Sequence, residues 1–128
     1  MTSGSRTTTV LERAIVMARQ GSLPLQALLW SLAASEVLLL SRAPFTDVGE
    51  FEPLVVERDG NRFLAVFTHS DLMQEFERPE RSVVVMTGLE FFRRIPADAG
   101  ITVNPGSTLG FELPALGAMD FARELTSS

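Results

Sequence analysis

One histidine, His69, stands in a stretch that also contains hydroxyl and carboxylate groups. Any Ser-His-Asp triad or imidazole general base in this chain has to use His69, and Ser70 and Asp71 follow it directly. Adjacent residues at a helix start point in different directions, however, so adjacency alone does not assemble a triad. The favoured interpretation is that Thr68, Ser70 and Asp71 cap a short helix and that His69 is exposed in its first turn. We therefore expect no catalytic residues.

A second candidate site is the run Asn-Pro-Gly-Ser-Thr at residues 104–108. Small residues of this kind can turn backbone N–H groups outward as an anion nest, and the candidate ligand-binding residues are Asn104, Gly106, Ser107 and Thr108. The run lacks the lysine and following helix of a Walker loop, and its serine is misplaced for a nucleophile elbow. Two interpretations stay open: a tight structural turn, which we favour, and a contact for a small ligand or peptide.

Two phenylalanines, Phe45 and Phe51, have no periodic apolar partners and flank the acidic run 46–50. They either fold back over the edge of a sheet, which we favour, or form an exposed apolar patch. Such a patch on a monomer is typical of an interaction surface. Phe45 and Phe51 are therefore the candidate interaction residues.

Metal and cofactor sites are not expected. The chain has no cysteine, which excludes disulfides, thiolate catalysis and iron–sulfur clusters. The remaining acidic clusters are Asp47, Glu50 and Glu52, and Glu75, Glu77 and Glu80. Neither cluster has the residue order or the glycine of a calcium loop, so both are interpreted as solvated surface. We predict no metal and no cofactor.

The charge of the chain disfavours nucleic acid and anionic membranes as partners. All 11 basic residues are arginine, and the formal net charge is −5. Nucleic-acid binding depends on basic side chains that neutralise phosphates, and no basic run is present. The apolar segment Leu23–Leu40 contains Pro24 and Glu36, so a buried helix and strand are favoured over a membrane span. The cysteine-free composition fits a reducing compartment, and a cytoplasmic location is expected.

Hydrogen-bonding and apolar patterns predict two helices at the start of the chain. Thr9 and Glu12 have capping-box spacing, and Gly21 is placed as a helix C-cap. Ser22 is expected to cap the second helix. Residues 1–8 are small and polar, and we expect a flexible N-terminus followed by one domain over residues 9–128.

The rest of the pattern predicts strands separated by short helices. Val37–Leu40 and Val83–Met86 are continuous apolar runs typical of buried strands, and Asp59-Gly60 is typical of a hairpin. A second capping box opens a helix at Thr87, and a last helix from Ala115 is expected to bury Leu116. The predicted fold class is α+β, a mixed β-sheet of about five to six strands with two N-terminal helices, short crossover helices and a C-terminal helix.

Two segments resemble the signatures of the SseB-like family, the N-terminal domain of the enhanced-serine-sensitivity proteins. Residues 59–68 are similar to its glycine, aromatic strand and Phe-Thr signature, and residues 100–107 are similar to its strand that runs into Asn-Pro-Gly. The resemblance covers roughly residues 22–125. It implies the fold and a bacterial origin, and it implies no reaction because it carries over no catalytic residues.

The leading functional prediction is a non-catalytic, cytosolic interaction or regulatory domain that binds a protein partner or a second copy of itself. It depends on the missing catalytic constellation, the missing basic groove and the spare aromatic residues Phe45 and Phe51. The alternative is a sensor of a small ligand or anion that uses the Asn104–Thr108 turn. An enzyme that uses His69 and Ser70 comes third.

Overall fold

A computed structural model of the chain describes residues 9–42 and 53–127, with side chains over 9–41 and 53–125. The candidate interaction residues Phe45 and Phe51 lie outside the described residues, as do the acidic residues of the same loop and the N-terminal residues 1–8.

Two helices in contact with each other open the described chain. Helix α1 spans Val10–Arg19 and begins with the predicted capping box, in which Thr9 and Glu12 exchange side-chain to backbone hydrogen bonds of 3.0 and 3.1 Å. The C-cap of α1 is Gln20, and Gly21 follows it at φ +81° in the left-handed position that ends a Schellman motif. Helix α2 spans Leu25–Ala34 with Pro24 at its N-cap, so the prediction that Ser22 caps this helix is wrong.

Six strands form two sheets in the described part of the chain. They are β1 (Glu36–Arg42), β2 (Val55–Arg58), β3 (Asn61–Val66), β4 (Arg81–Thr87), β5 (Gly100–Val103) and β6 (Phe111–Leu113). One sheet has the order β2-β3-β5-β6 with β3 and β5 parallel, and the other pairs β1 with β4 in antiparallel register. A bridge between Leu38 and Phe67 joins the two sheets. The α+β class with a mixed sheet is confirmed.

The hairpin between β2 and β3 confirms the Asp-Gly prediction. Asp59 has φ +53° and Gly60 has φ +81°, the left-handed pair that a type I′ turn requires. The expected helix after β3 is instead two single 3₁₀ turns, Ser70–Leu72 and Gln74–Phe76. Strand β4 pairs antiparallel with β1 and lies apart from the parallel pair β3 and β5.

Helices α3 (Gly88–Arg94) and α4 (Ala115–Ser127) complete the fold. The Thr87 hydroxyl accepts a hydrogen bond from the Glu90 N–H and caps α3 as predicted. In α4 the buried residues are Ala118 and Phe121, whereas Leu116 is 72% exposed. The expectation that Leu116 is buried is wrong because it lies two residues from Ala118, nearly opposite on the helix.

The sheets separate two apolar clusters. The larger cluster lies between the sheets and the helices and includes Ile15, Leu32, Phe91, Ile101 and Phe121. The smaller cluster lies on the other face of β1, where Leu40, Ala65, Phe67 and Met73 are buried. Strand β1 contributes Val37 and Leu39 to the first and Leu40 to the second, so it is covered on both faces, as its continuous apolar run predicted.

Gly88 permits the close approach of α3 to α2, and its replacement tests this packing. A methyl group there would overlap the carbonyl oxygen of Leu32 and lie 2.7 Å from the carbonyl carbon. We expect Gly88→Ala to lower the free energy of unfolding by about 3 kcal/mol or more, because backbone atoms of α2 must move. Gly60→Ala is the control. A methyl group at Gly60 meets nothing within 4 Å, so the cost is the left-handed backbone alone, about 1–2 kcal/mol. Equal losses in urea unfolding of the two variants would contradict the packing account.

Candidate functional site

The lone imidazole is used as a cap. The Asp71 N–H donates to His69 Nδ1 at 3.1 Å, which makes His69 the N-cap of the Ser70–Leu72 turn. The same nitrogen lies 3.5 Å from Asp71 Oδ2, but an atom that accepts the amide hydrogen bond has no proton to share, so the amide contact describes the geometry better. The expected cap residues are therefore corrected: His69 itself is the cap, and its side chain is one-third exposed.

A cleft of about 600 Å³ lies beside His69, between the start of α1 and the start of β1. Its lining includes Thr9, Glu36, Thr68 and Ser70 as well as the imidazole. Within the described ranges, no hydroxyl oxygen is hydrogen-bonded to the His69 ring, so the nucleophile–base contact of a triad is not formed. That the chain is not an enzyme stays a prediction.

The neighbouring Thr68 belongs to a buried polar network. Its hydroxyl donates to Glu12 Oε2 at 2.5 Å and accepts from Asn104 Nδ2 at 3.0 Å. Its backbone N–H donates to Asn104 Oδ1 at 2.9 Å, and Asn104 Nδ2 also donates to the carbonyl of Leu109 at 2.8 Å. Glu12 and Asn104 are both fully buried. The network therefore joins α1 to the ends of β3 and β5.

This network explains why a Phe-Thr pair follows β3 and an Asn-Pro-Gly run follows β5. Since β3 and β5 are parallel neighbours, their C-terminal ends lie side by side, and Thr68 meets Asn104 there. Asn104 has φ +49°, a conformation that asparagine tolerates better than most residues. Sequence reasoning missed the network. The signal that pointed to it is Glu12, a carboxylate between buried Leu11 and Ala14 on α1.

The residues predicted to bind a ligand lie around a shallow depression of about 300 Å³. Asn104, Gly106 and Ser107 line it, whereas Thr108 does not. The Asn104 side chain points into the network, and the Ser107 hydroxyl accepts from the Leu109 N–H at 3.0 Å. Arg58 also lines the depression, and its guanidinium pairs with Glu112 at 2.6 Å. These contacts fit the structural turn, and the ligand-binding role stays a prediction.

Strand β4 presents an open edge. In the described part of the chain it pairs only with β1, and Val83 and Val85 are 49% and 54% exposed. The expectation that Val83–Met86 is a fully buried strand is therefore wrong. Successive side chains of a strand point to opposite faces. Val84 and Met86 pack on the larger cluster from one face of this edge strand, whereas Val83 and Val85 lie on the other face and stay exposed.

The phase of the β1–β4 ladder shows which backbone groups of β4 point outward. The Gly88 N–H donates to the Ser35 carbonyl at 2.8 Å, so the even-numbered residues of β4 bond to β1. The hydrogen bonds on the opposite edge of β1 fit this phase, because the even-numbered residue Leu38 bonds there to Phe67 and not to β4. The residues whose N–H and C=O groups point outward are consequently Arg81, Val83, Val85 and Thr87. The Arg81 N–H already donates to the Arg78 carbonyl at 3.0 Å, and the Thr87 carbonyl belongs to the first turn of α3, so the fully available residues are Val83 and Val85.

The described residues also form an apolar groove, but they contain no metal-binding cluster and no membrane-spanning helix. An apolar groove of about 310 Å³ lies between α3 and α4, lined by Phe92, Ile95, Met119 and Leu125 among others. Over residues 9–42 and 53–127, no three acidic or histidine side chains come close enough to hold a metal ion. None of the described helices has the length and apolar character needed to cross a bilayer.

Replacing Thr68 tests whether the buried network stabilises the fold. Thr68→Val keeps the shape but removes the hydroxyl that serves Glu12 and Asn104. We expect it to lower the free energy of unfolding by about 2–3 kcal/mol, because buried polar groups lose a partner. Thr68→Ser keeps the hydroxyl and is expected to cost about 1 kcal/mol or less. The check is urea denaturation, and a serine variant no more stable than the valine variant would refute this role.

Comparison with known proteins agrees with the two signatures. No curated protein shows significant similarity to the chain. The family model described as SseB protein N-terminal domain matches residues 11–117. The match includes the Phe-Thr pair, the Asn-Pro-Gly run and the whole of β4. The chain therefore belongs to the SseB N-terminal domain family.

Proposed function

We propose that this chain is a non-catalytic protein-interaction domain and that it docks an extended segment of its partner on the open edge of β4. The observation that carries the proposal is the edge itself, a seven-residue strand with outward backbone groups and two half-exposed valines. Addition of a strand to such an edge is a common way to recognise a peptide, since main-chain hydrogen bonds supply affinity.

The edge lacks the features by which proteins prevent unwanted strand pairing. Protective features include a proline, an inward-pointing charge, a bulge or a very short strand. Strand β4 contains no proline and pairs with β1 over seven consecutive residues without a bulge. Its one charged residue, Arg81, turns its guanidinium to the Phe76 carbonyl. An unprotected apolar edge of this length supports a docking role.

The residues with reactive side chains support the non-catalytic part of the proposal. His69 caps a turn, while Thr68 and Asn104 satisfy buried polar groups. Each of these side chains has a structural role that accounts for its position. A cytosolic location and a protein partner, with no nucleic acid and no membrane, belong to the same proposal. Phe45 and Phe51 stay predicted contact residues within it.

Capture of partners with edge variants tests the proposal. We expect Val83→Lys/Val85→Lys to lose the proteins that the wild type retains from a lysate of its source cells, because lysines on a strand edge oppose pairing. The matched control is Val10→Lys/Val16→Lys, two exposed valines on α1. Quantitative mass spectrometry compares the three captured sets, and thermal melting confirms that the variants are folded. An unchanged set with the edge variant, or an empty set with the wild type, contradicts the proposal.

A further inference from the structure

The open edge of β4 is complementary to itself. Its outward residues are Arg81, Val83, Val85 and Thr87, which are spaced evenly about Val84. An antiparallel pair requires outward residues on both strands to face each other in hydrogen-bonded positions. A second β4, turned by a two-fold rotation about Val84, places outward residues opposite outward residues along the whole strand.

We propose that the occupant of the β4 edge is a second copy of this chain, paired antiparallel about Val84. The inference rests on the proposed function, which identifies the edge as a docking element. The pairing joins two two-stranded sheets into one four-stranded sheet with the order β1-β4-β4-β1. It is an isologous contact, so it closes at two copies and leaves no further edge of the same kind open.

The strand ends select this register over its neighbours. About Val84, Arg81 faces Thr87 of the second copy and Val83 faces Val85. The two valines contribute both their N–H and C=O groups, and the Thr87 N–H faces the Arg81 carbonyl, whereas the Arg81 N–H keeps its bond to Arg78. A shift of two residues one way places Pro79, which has no N–H, opposite Thr87. The opposite shift places Leu89, already in α3, opposite Arg81. Either shift therefore loses one of the pairs of outward residues.

The side chains agree with the same register. Val83 and Val85 share one face of β4, and the pairing puts each of them opposite its counterpart in the second copy. Cross-strand pairs of β-branched residues stabilise antiparallel sheets. The strand contains no acidic residue, and its single arginine faces a threonine, so no like charges meet within the ladder. The net charge of −5 on each copy repels only at long range and is screened by salt.

Charge substitutions on the two valines test both the pairing and its register. In Val83→Arg/Val85→Glu, the introduced arginine of each copy faces the introduced glutamate of the other, and the net charge of the chain is unchanged. In Val83→Arg/Val85→Arg and in Val83→Glu/Val85→Glu, like charges face each other. The Val10→Arg/Val16→Glu variant on α1 is the matched control. Sedimentation velocity from low micromolar to near-millimolar concentration measures association.

The expected result is a concentration-dependent dimer for the wild type, the α1 control and Val83→Arg/Val85→Glu. The two like-charge variants are expected to associate at least about tenfold more weakly, and a mixture of the two is expected to recover a heterodimer. A dimer that persists unchanged in both like-charge variants would overturn the proposal, since association would then use another surface. So would a wild type that stays monomeric at every concentration.

Sedimentation and partner capture together distinguish a failure of the self-pairing inference from a failure of the proposed docking function. If the wild type is monomeric but β4 variants still lose captured partners, self-pairing is wrong and the docking role stands. If β4 variants change neither association nor capture, both are wrong. Circular dichroism of each variant shows that the fold is intact, and Val85→Pro supplies an uncharged second probe. Its missing N–H is an outward one, so the β1–β4 bonds are kept and dimerisation is expected to be lost.

Discussion

A buried carboxylate determines how the elements of this domain meet. Glu12 is fully buried on α1, and charge removed from water is costly unless hydrogen bonds replace the lost hydration. Its hydrogen-bond donors include the Thr68 hydroxyl, which Asn104 in turn orients. Glu12 lies on α1, Thr68 follows β3 and Asn104 follows β5, so this set of hydrogen bonds forms only when α1, β3 and β5 are all in place. Parallel pairing of β3 and β5 supplies the required alignment.

This constraint gives the polar residues around Glu12 a structural role. The side chains that could do chemistry hold the structure together, since His69 caps a turn and Thr68 and Asn104 belong to the buried network. Within the described residues, the outer edge of β4 leaves backbone groups of Val83 and Val85 without a partner strand. Strand β1 is covered on both faces and bonded on both edges, by β4 on one side and by Phe67 and Leu54 on the other. Strand β4 is bonded on one edge only within the described chain, and that asymmetry is the physical basis of the proposed function.

Local features of the sequence predicted local structure well. The capping box at Thr9, the Thr87 hydroxyl cap of α3 and the turn at Asp59-Gly60 involve atoms within four residues of each other, so spacing alone predicts them. The exposure of β4 was not predictable in this way. Consecutive valines from Val83 to Val85 fit a central strand and an edge strand equally well, and the difference depends on strand order. Strand order depends on contacts between residues that are far apart in the sequence. The spacing of apolar residues along one strand does not reveal those contacts.

The polar network was beyond sequence reasoning for the same reason. Its hydrogen bonds join residues 56 and 36 positions apart, so no motif contains them. Asn104 was noticed as a member of a turn, but its burial and its contact with Thr68 required the parallel pairing of β3 and β5. His69 was expected in the first turn of a helix, whereas it is the cap before that turn. A one-residue difference of this kind changes an exposed, available imidazole into one that accepts a backbone hydrogen bond.

Amide hydrogen exchange along β4 in the dilute protein tests the central claim most directly. The account predicts alternation: slow exchange at Ser82, Val84 and Met86, where the N–H groups bond to β1, and fast exchange at Val83 and Val85. Slow exchange at Val83 and Val85 in the dilute protein would show that the edge is already covered within the chain, and would contradict a docking role for β4.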